Sequence, residues 1–404
     1  MSNLVLNDVP TVDFDLFSRD FVNDPYPTLE KIRSAGRIVR HEGMGHYLLT
    51  GYRDCARAMG QGDLFRADVE NIGMLFGGPP FAGMEGQKHN EFKSIWARDL
   101  RRKSILDHVE VIADIVRKAT AETIERARAG EVVDAVAGFT RNIPTIVIAH
   151  MMDLPSERVA EFIEWTDTMG GIMEGRDDPS PRGRELVANG VAATGQMNDF
   201  VSTIIEDRKL HRGEDLVSRL VHTDVPIAES EMVSASTQLV FAGNETTSKL
   251  MGLSLIALAK HPKQREELRR DRSLMPQAIE EIHRWTSVKN WSVRFLKQDA
   301  EIGGVELPAG TSLMAMQAAA NRDPERWENP QVLDIHRPTR AHLGFGTGPH
   351  TCMGLNLARL EVATVLNTLL DTIPDWEVSK VDFGLGPMIR GPIEIGLSSP
   401  SARN

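Results

Sequence analysis

Two stretches of this 404-residue chain carry residue types at spacings suited to chemistry. The first runs from His342 to Glu361 and sets one of only two cysteines, Cys352, behind a glycine-rich loop. Leu355, Ala358 and Leu360 follow with the spacing of an amphipathic helix. A thiolate is easiest to form at a helix start, where unpaired backbone N–H groups and the positive end of the dipole stabilise negative charge. Gly346 and Gly348 let the backbone turn tightly beside the sulfur, Gly354 removes a side chain where a flat partner can lie close, and Phe345 can shield the thiolate from water. His350 adds a donor two residues before the cysteine. Taken as an isolated cysteine near glycines, the ordinary reading is a buried structural residue.

The second stretch is Phe241 to Thr247, inside a helical pattern that runs from Glu229 to about His261 and is ended by Pro262. It is apolar enough to pass through the middle of a protein, yet it holds Gly243, Asn244, Glu245, Thr246 and Thr247 together. A glycine beside a polar run in a buried helix is destabilising and needs a reason. Threonine back-bonding to the previous turn would open the helix locally and leave a groove for a small ligand and water. The alternative is a kinked helix whose polar residues reach solvent.

The elements that must position these stretches are constrained by composition. Lys and Arg number 46 against 57 Asp and Glu, a net charge of −11 that disfavours nucleic acid as a partner. Two cysteines, Cys55 and Cys352, are too few for a disulfide framework, a structural zinc site or an iron–sulfur cluster, so the chemistry falls to a cofactor that needs one sulfur. No run of about 18 apolar residues occurs, and the expectation is a cytoplasmic protein with no membrane anchor. Short strands are expected at 37–39 and 46–50, a helix over Thr28–Ala35, an unperiodic loop between Leu64 and Met84, and mostly helical spacing from Leu106 to Asp207. Breaks are expected at Gly130, Asp153–Pro155 and Gly170–Gly171, and a mobile connection over 176–183. A hairpin is expected over Ala300–Thr311.

The pattern F-G-x-G-x-H-x-C-x-G, read from Phe345 to Gly354, resembles the haem-binding loop of the cytochrome P-450 family. The pattern A-G-x-[DE]-T-[TS], read from Ala242 to Thr247, is similar to the oxygen-binding segment of the same family. The resemblance implies one domain over 1–404, with 1–23 as an N-terminal extension. Its fold class would be mainly α with a small β-rich region (α+β), with haem b between the long central helix and the Cys-loop helix. It implies Cys352 as axial ligand of the haem iron. Thr246 then hydrogen-bonds the bound oxygen, Glu245 relays protons, and Ala242 and Gly243 lie at the haem.

Further residues take roles by the same resemblance. His350 and Arg294 would pair with haem propionates, joined by His89. The family's usual H-x-x-x-R reads His89 to Lys93 here, so Lys93 keeps the charge but loses the bidentate fork. Glu281, Arg284 and Arg337 match a buried structural triad on the proximal side. The 64–84 loop would cover the distal pocket, which makes Ile72, Met74, Leu75, Phe76, Phe81 and Met84 candidates to line it; an ordinary surface loop is the alternative. Trp165, Met169, Ile172 and Met173 would lie near the lid, Leu239 on the long helix, and Val288, Trp291, Val293, Met388 and Ile389 on the far wall. Lys289 or Arg390 would meet an acid group if either faces inward.

The implied activity is a monooxygenase inserting one oxygen atom from O2 into a C–H bond, by hydroxylation or O-demethylation of a small, mainly apolar substrate. With no flavin or nucleotide fingerprint in the chain, electrons would come from NAD(P)H through a separate ferredoxin reductase and ferredoxin. Arg98, Arg101, Arg102 and Lys103 form a basic cluster that is either a solvated face or the docking site of an acidic ferredoxin. A peroxide-driven hydroxylase of the same fold and a non-catalytic haem-thiolate ligand sensor are the alternatives.

Overall fold

Period-two alternation of apolar residues sets the frame of the β-rich part. The computed structural model describes residues 9–176 and 180–400, and these fall into two compact units. The first comprises Met1–Asp68, Glu280–Cys352 and Phe383–Arg390, and the second Val69–Ile279, Met353–Asp382 and Gly391–Asn404.

The first unit holds a six-stranded sheet in the order Thr11–Val12, Ile38–His41, Tyr47–Leu49, Ser312–Ala315, Ser292–Leu296, Phe65–Ala67. Neighbouring residues alternate between two apolar cores, one on each face. Ile38, Leu49, Leu313 and Ala315 join Cys55, Phe65 and Leu343 on one side. Val39, Leu48, Val293 and Met314 join Phe21, Leu29, Ile32 and Trp291 on the other. Successive side chains of a strand point to opposite faces, so both faces need cover. The helix Tyr52–Gly60 covers the first with Cys55, Ala58 and Met59, and Tyr26–Ala35 covers the second with Leu29 and Ile32. That second helix starts two residues earlier than its spacing indicates, because Pro27 fits the first turn, where its missing N–H has no partner to lose. The expected hairpin forms from Ala300–Ile302 and Val305–Leu307, turned by Gly303 and Gly304 at φ 64° and 89°.

The second unit is helical, built on Val109–Arg128, Asn142–Met151, Val159–Gly175, Pro181–Leu210, Glu229–Lys260 and Leu355–Thr372. A three-stranded sheet, Glu377–Asp382, Glu394–Ser398 and Val133–Asp134, completes it. The long helix Glu229–Lys260 is buried without interruption from Leu250 to Leu258, as its all-round apolar sequence there requires.

Two expectations about elements fail for physical reasons. Gly170 and Gly171 do not break a helix but sit inside Val159–Gly175, where the bare backbone admits a neighbour. A Cβ on Gly171 would stand 3.2 Å from the Leu186 carbonyl oxygen, and one on Gly175 would strike Gly183. Between Leu64 and Met84 the chain is not a plain loop. It forms the strand Phe65–Ala67, the helix Val69–Phe76 and a single 3₁₀ turn at Phe81–Gly83. Gly73 in its middle hides the helix from a propensity reading, and Gly77, at φ 66°, ends it. Of the expected mobile connection over 176–183, residues 177–179 lie outside the described residues, while Ser180 caps the helix Pro181–Leu210.

Candidate active site

In the first unit the Cys352 loop is shaped by its backbone. Gly346 and Gly348 stand at φ 72° and 71°, a region that disfavours any side chain. Gly348 also lies against the helix Tyr52–Gly60, so that an added Cβ would come to 2.6 Å from Gly60 Cα. The Cys352 N–H donates to the Phe345 carbonyl at 2.9 Å, closing the loop and leaving the cysteine exposed. Cys55 is the opposite case. It is buried, its thiol donates to the Leu49 carbonyl at 3.0 Å, and burial pushes its pKa up. Only Cys352 is available as a thiolate ligand.

Phe345 is fixed edge-on against His283, with ring centroids 4.4 Å apart at 80°. The adjacent Gly344 has no room for a side chain, since its Cβ would stand 2.7 Å from the His283 ring. Sequence reasoning missed His283, which lies on the helix Met275–Thr286 that supplies Glu281 and Arg284. There Arg284 grips Glu281 with two hydrogen bonds of 2.7 and 2.8 Å, and Arg337 adds a third at 3.0 Å. Arg284 and Glu281 are almost wholly buried, and the remaining Arg284 hydrogens go to the carbonyls of Asn321, Pro330 and Val332. The structure therefore brings the three residues together as a scaffold, with no hydrogen left over for a ligand on Arg284.

Ser287 follows that helix at φ 42°, a strained conformation for a non-glycine residue. It redirects the chain into Val288–Arg294. Asn290 locks this segment through its side chain to the Pro387 carbonyl at 2.6 Å and its N–H to the Met388 carbonyl at 2.9 Å. Ser292 bonds Gln317, which donates to the Leu343 carbonyl, so the strand carrying Arg294 is tied to the Cys352 loop. Lys289 lies close enough to Arg294 and Cys352 to feel both charges. Lost hydration, then the like charge of Arg294, pushes its ammonium down to about 8, with Cys352 pulling the other way.

In the second unit the long helix is regular through Ala242–Thr247, without the local opening that its polar run implies. The Thr246 hydroxyl donates to the Ala242 carbonyl one turn back at 3.1 Å. Glu245 forms an ion pair with Lys249, a partner legible in retrospect from the four-residue spacing. Glu174 stands beside both, and burial raises its pKa with Glu245 adding to the rise and Lys249 opposing it. Asn244 turns to the helix Val159–Gly175 and donates to Thr166 Oγ1 at 2.7 Å, a contact no spacing announces. Gly243 also meets a neighbouring helix. Its missing side chain accommodates Ile148, whose Cγ1 would stand 3.1 Å from a Cβ. Ala242 is exposed.

His89 is buried and stacks on Phe81, with centroids 5.1 Å apart and 10° between planes, while Lys93 one turn on is partly buried. Phe81 packs also on Phe92 and Trp96, and Phe76 meets Phe241 edge-on at 5.8 Å. The Leu75 and Phe76 carbonyls accept from Thr194 and Asn198, and Ser234 donates to the Pro79 carbonyl. This segment is thus pinned to two helices. Leu75 and Met84 are buried, Ile72 and Leu239 partly so, and Met74 is exposed.

Several expected lining residues have other places. Trp291 and Val293 belong to the sheet core with Phe21, because strand alternation points them away from the face that carries Arg294. Trp165 packs on Phe162 and Phe200 with Arg158 over its ring, filling the seam between two helices. Met169 is fully buried and Met173 partly. Val288 is buried, while Met388 and Ile389 are partly buried. Arg390 does not face inward as a free cation. It donates to the Val22 and Asn23 carbonyls and stacks on Phe383. His350 closes the 3₁₀ turn Gly348–His350 and is partly exposed, and Gly354 caps the helix Leu355–Thr372. Arg98, Arg101, Arg102 and Lys103 are all exposed. Among the described residues no helix is long and apolar enough to cross a membrane.

The cytochrome P450 family model matches residues 48–378. Cytochrome P450 monooxygenase PikC of Streptomyces venezuelae is 31% identical over 411 residues, covering 95% of this chain and 92% of that protein. The 6-deoxyerythronolide B hydroxylase of Saccharopolyspora erythraea is 29% identical over 378 residues, covering 89% and 91%. The solved structure of the bacillaene polyketide synthase cytochrome P450 PksS of Bacillus subtilis 168 superimposes with a TM-score of 0.85 at 27% identity, over 95% of this chain and 99% of that one. The family's cofactor is haem b held by a cysteine thiolate. An exposed cysteine on a loop of positive-φ glycines, with the cation Arg294 in the same unit, has the donor chemistry for such a group. The chain belongs to the cytochrome P450 family and is a haem-dependent monooxygenase.

Proposed function

We propose that this enzyme inserts one atom of dioxygen into a C–H bond of a small, mainly apolar organic molecule, by hydroxylation or O-demethylation. The observation that carries the reading is the pairing of a carboxylate and an alcohol at consecutive positions of the long helix, Glu245 and Thr246. Reducing dioxygen to one inserted atom and one water consumes two protons, and a hydroxyl refilled by an ionisable neighbour can deliver them. Thr246 holds the proton on Oγ1, parked against the Ala242 carbonyl, and Glu245 replenishes it when it leaves Lys249. The bound haem supplies dioxygen binding and redox chemistry, with a thiolate ligand that raises electron density on iron.

Cys352 takes the role of that ligand, with Phe345 held over the loop by His283 to keep water from the sulfur. Arg294, His350, His89 and Lys93 take the propionates, the guanidinium of Arg294 being best suited to a carboxylate. Residues 1–404 act as one catalytic domain in the cytoplasm, where NAD(P)H supplies a ferredoxin reductase and ferredoxin. The exposed cations Arg98, Arg101, Arg102 and Lys103 stand out in a chain of net charge −11 and suit an acidic ferredoxin, whose docking then weakens with ionic strength.

The test is the amount of product formed per NAD(P)H consumed in wild type and Thr246→Ala, with redox partners supplied. The variant is expected to keep its haem and to lose product formation by about 10²-fold, with the missing reducing equivalents recovered as hydrogen peroxide. Unchanged coupling would overturn the relay and favour a ligand sensor or a peroxide-driven enzyme.

A further inference from the structure

Lys289 lies in the Val288–Arg294 segment, and among the described residues nothing pairs with its ammonium. Its backbone is held from both sides: Arg390 N–H donates to the Val288 carbonyl, Asn290 N–H to that of Met388, and Lys289 itself pairs with Ile389 across an antiparallel bridge. The strained Ser287 before it is fixed in turn, accepting from Asn321 Nδ2 at 2.9 Å. Such a support aims a side chain with little freedom.

Yet the ammonium, partly buried, makes no hydrogen bond or ion pair with any described residue. The charged groups that act on it are Arg294, a second cation, and Cys352. Other buried cations of this unit are satisfied: Arg284 by Glu281 and carbonyls, Arg390 by the carbonyls of Val22 and Asn23. A cation beside a like charge, with no partner among the described residues, is unfavourable, and an anion from outside the chain would relieve it. Directly paired residues of a bridge present their side chains on the same side, so Ile389 places apolar surface beside the base of the Lys289 side chain.

We propose that Lys289 is the anchor for a substrate carboxylate, so that the enzyme's natural substrate is an apolar organic acid whose hydrocarbon part rests against Ile389 and its neighbours. This rests on the monooxygenase reading above and narrows its substrate class. A carboxylate here completes a charge-assisted hydrogen bond with the ammonium. It also fixes one end of the molecule, which sets the carbon presented for oxidation.

The test is optical titration of the ferric holoenzyme with phenylpropanoate and decanoate, each against its own methyl ester, in wild type, K289M, K289Q and K289R. At least one acid is expected to bind wild type roughly 10- to 100-fold more tightly than its ester. In K289M and K289Q the preference should vanish while ester affinity and haem content stay unchanged, and K289R should restore it. Equal binding of acid and ester to wild type, failure of both acids to bind, or a preference that survives in K289M would overturn the proposal. So would loss of haem from K289M and K289Q, which would assign the ammonium to a propionate. A nitrogen-ligated ferric spectrum that these variants abolish would place the amine on iron and equally overturn it. Failure of the monooxygenase reading shows elsewhere, as absence of dioxygen-dependent product with acid selectivity intact.

Discussion

In the Cys352 loop the backbone does the positioning, whereas along the long helix the backbone is regular and the side chains do it. Gly346 and Gly348 hold left-handed conformations, the Cys352 N–H is tied to Phe345, and the helix Tyr52–Gly60 presses on Gly348 from behind. From Glu229 to Lys260, by contrast, every residue is helical, and function is placed by pairs: Thr246 with the Ala242 carbonyl, Glu245 with Lys249, Asn244 with Thr166. A ligand to a metal must be fixed to within a fraction of an ångström, which a strained loop can do. A proton carrier must let go of one partner and take another, which rigid backbone geometry would prevent.

The comparison is broken most forcefully at Gly348. Gly348→Val forces a side chain into a left-handed backbone and against Gly60, and should cost about 2–4 kcal/mol, read as a lowered urea midpoint together with lost haem. An equally severe change on the helix is not expected from any single side-chain pair. Asn244→Ala removes the bond to Thr166 but leaves the Thr166 hydroxyl bonded to the Phe162 carbonyl. It should destabilise by about 1 kcal/mol in denaturant titration, with the reduced carbonyl adduct spectrally unaltered. The smallest effect concerns Glu174, whose folded pKa is raised by burial. The folded state then holds this proton more tightly than the unfolded chain, so stability falls as pH rises from the ordinary carboxylate range through the raised value. Relative to Glu174→Gln, wild type should lose melting temperature across that window and match the variant below it.

The same contrast explains what the sequence discloses. The Cys loop is legible because its glycines and its cysteine lie within ten residues of one another and are demanded by local backbone geometry. The triad Glu281, Arg284 and Arg337 is legible in part, since two members share a helix face. The helix partners are not, because Thr166, Ile148 and Glu174 arrive through tertiary packing from elements more than sixty residues away. Glycine misleads where packing uses it: Gly171 reads as a breaker but is a contact point inside a helix, and the space beside Gly243 is taken by Ile148. Apolar residues mislead likewise. Trp291 and Val293 stand beside Lys289 and Arg294 in sequence, yet strand alternation delivers them to the core.

The most direct test of the account is the spectrum of the reduced carbonyl adduct in Cys352→Ser and Cys55→Ser, measured side by side with wild type. Cys55→Ser should keep the strongly red-shifted Soret band that a thiolate ligand gives, because that thiol is buried and engaged with the Leu49 carbonyl. Cys352→Ser should lose the band entirely. A red-shifted band surviving in Cys352→Ser would contradict the assignment of the ligand and, with it, the reading of the loop that holds it.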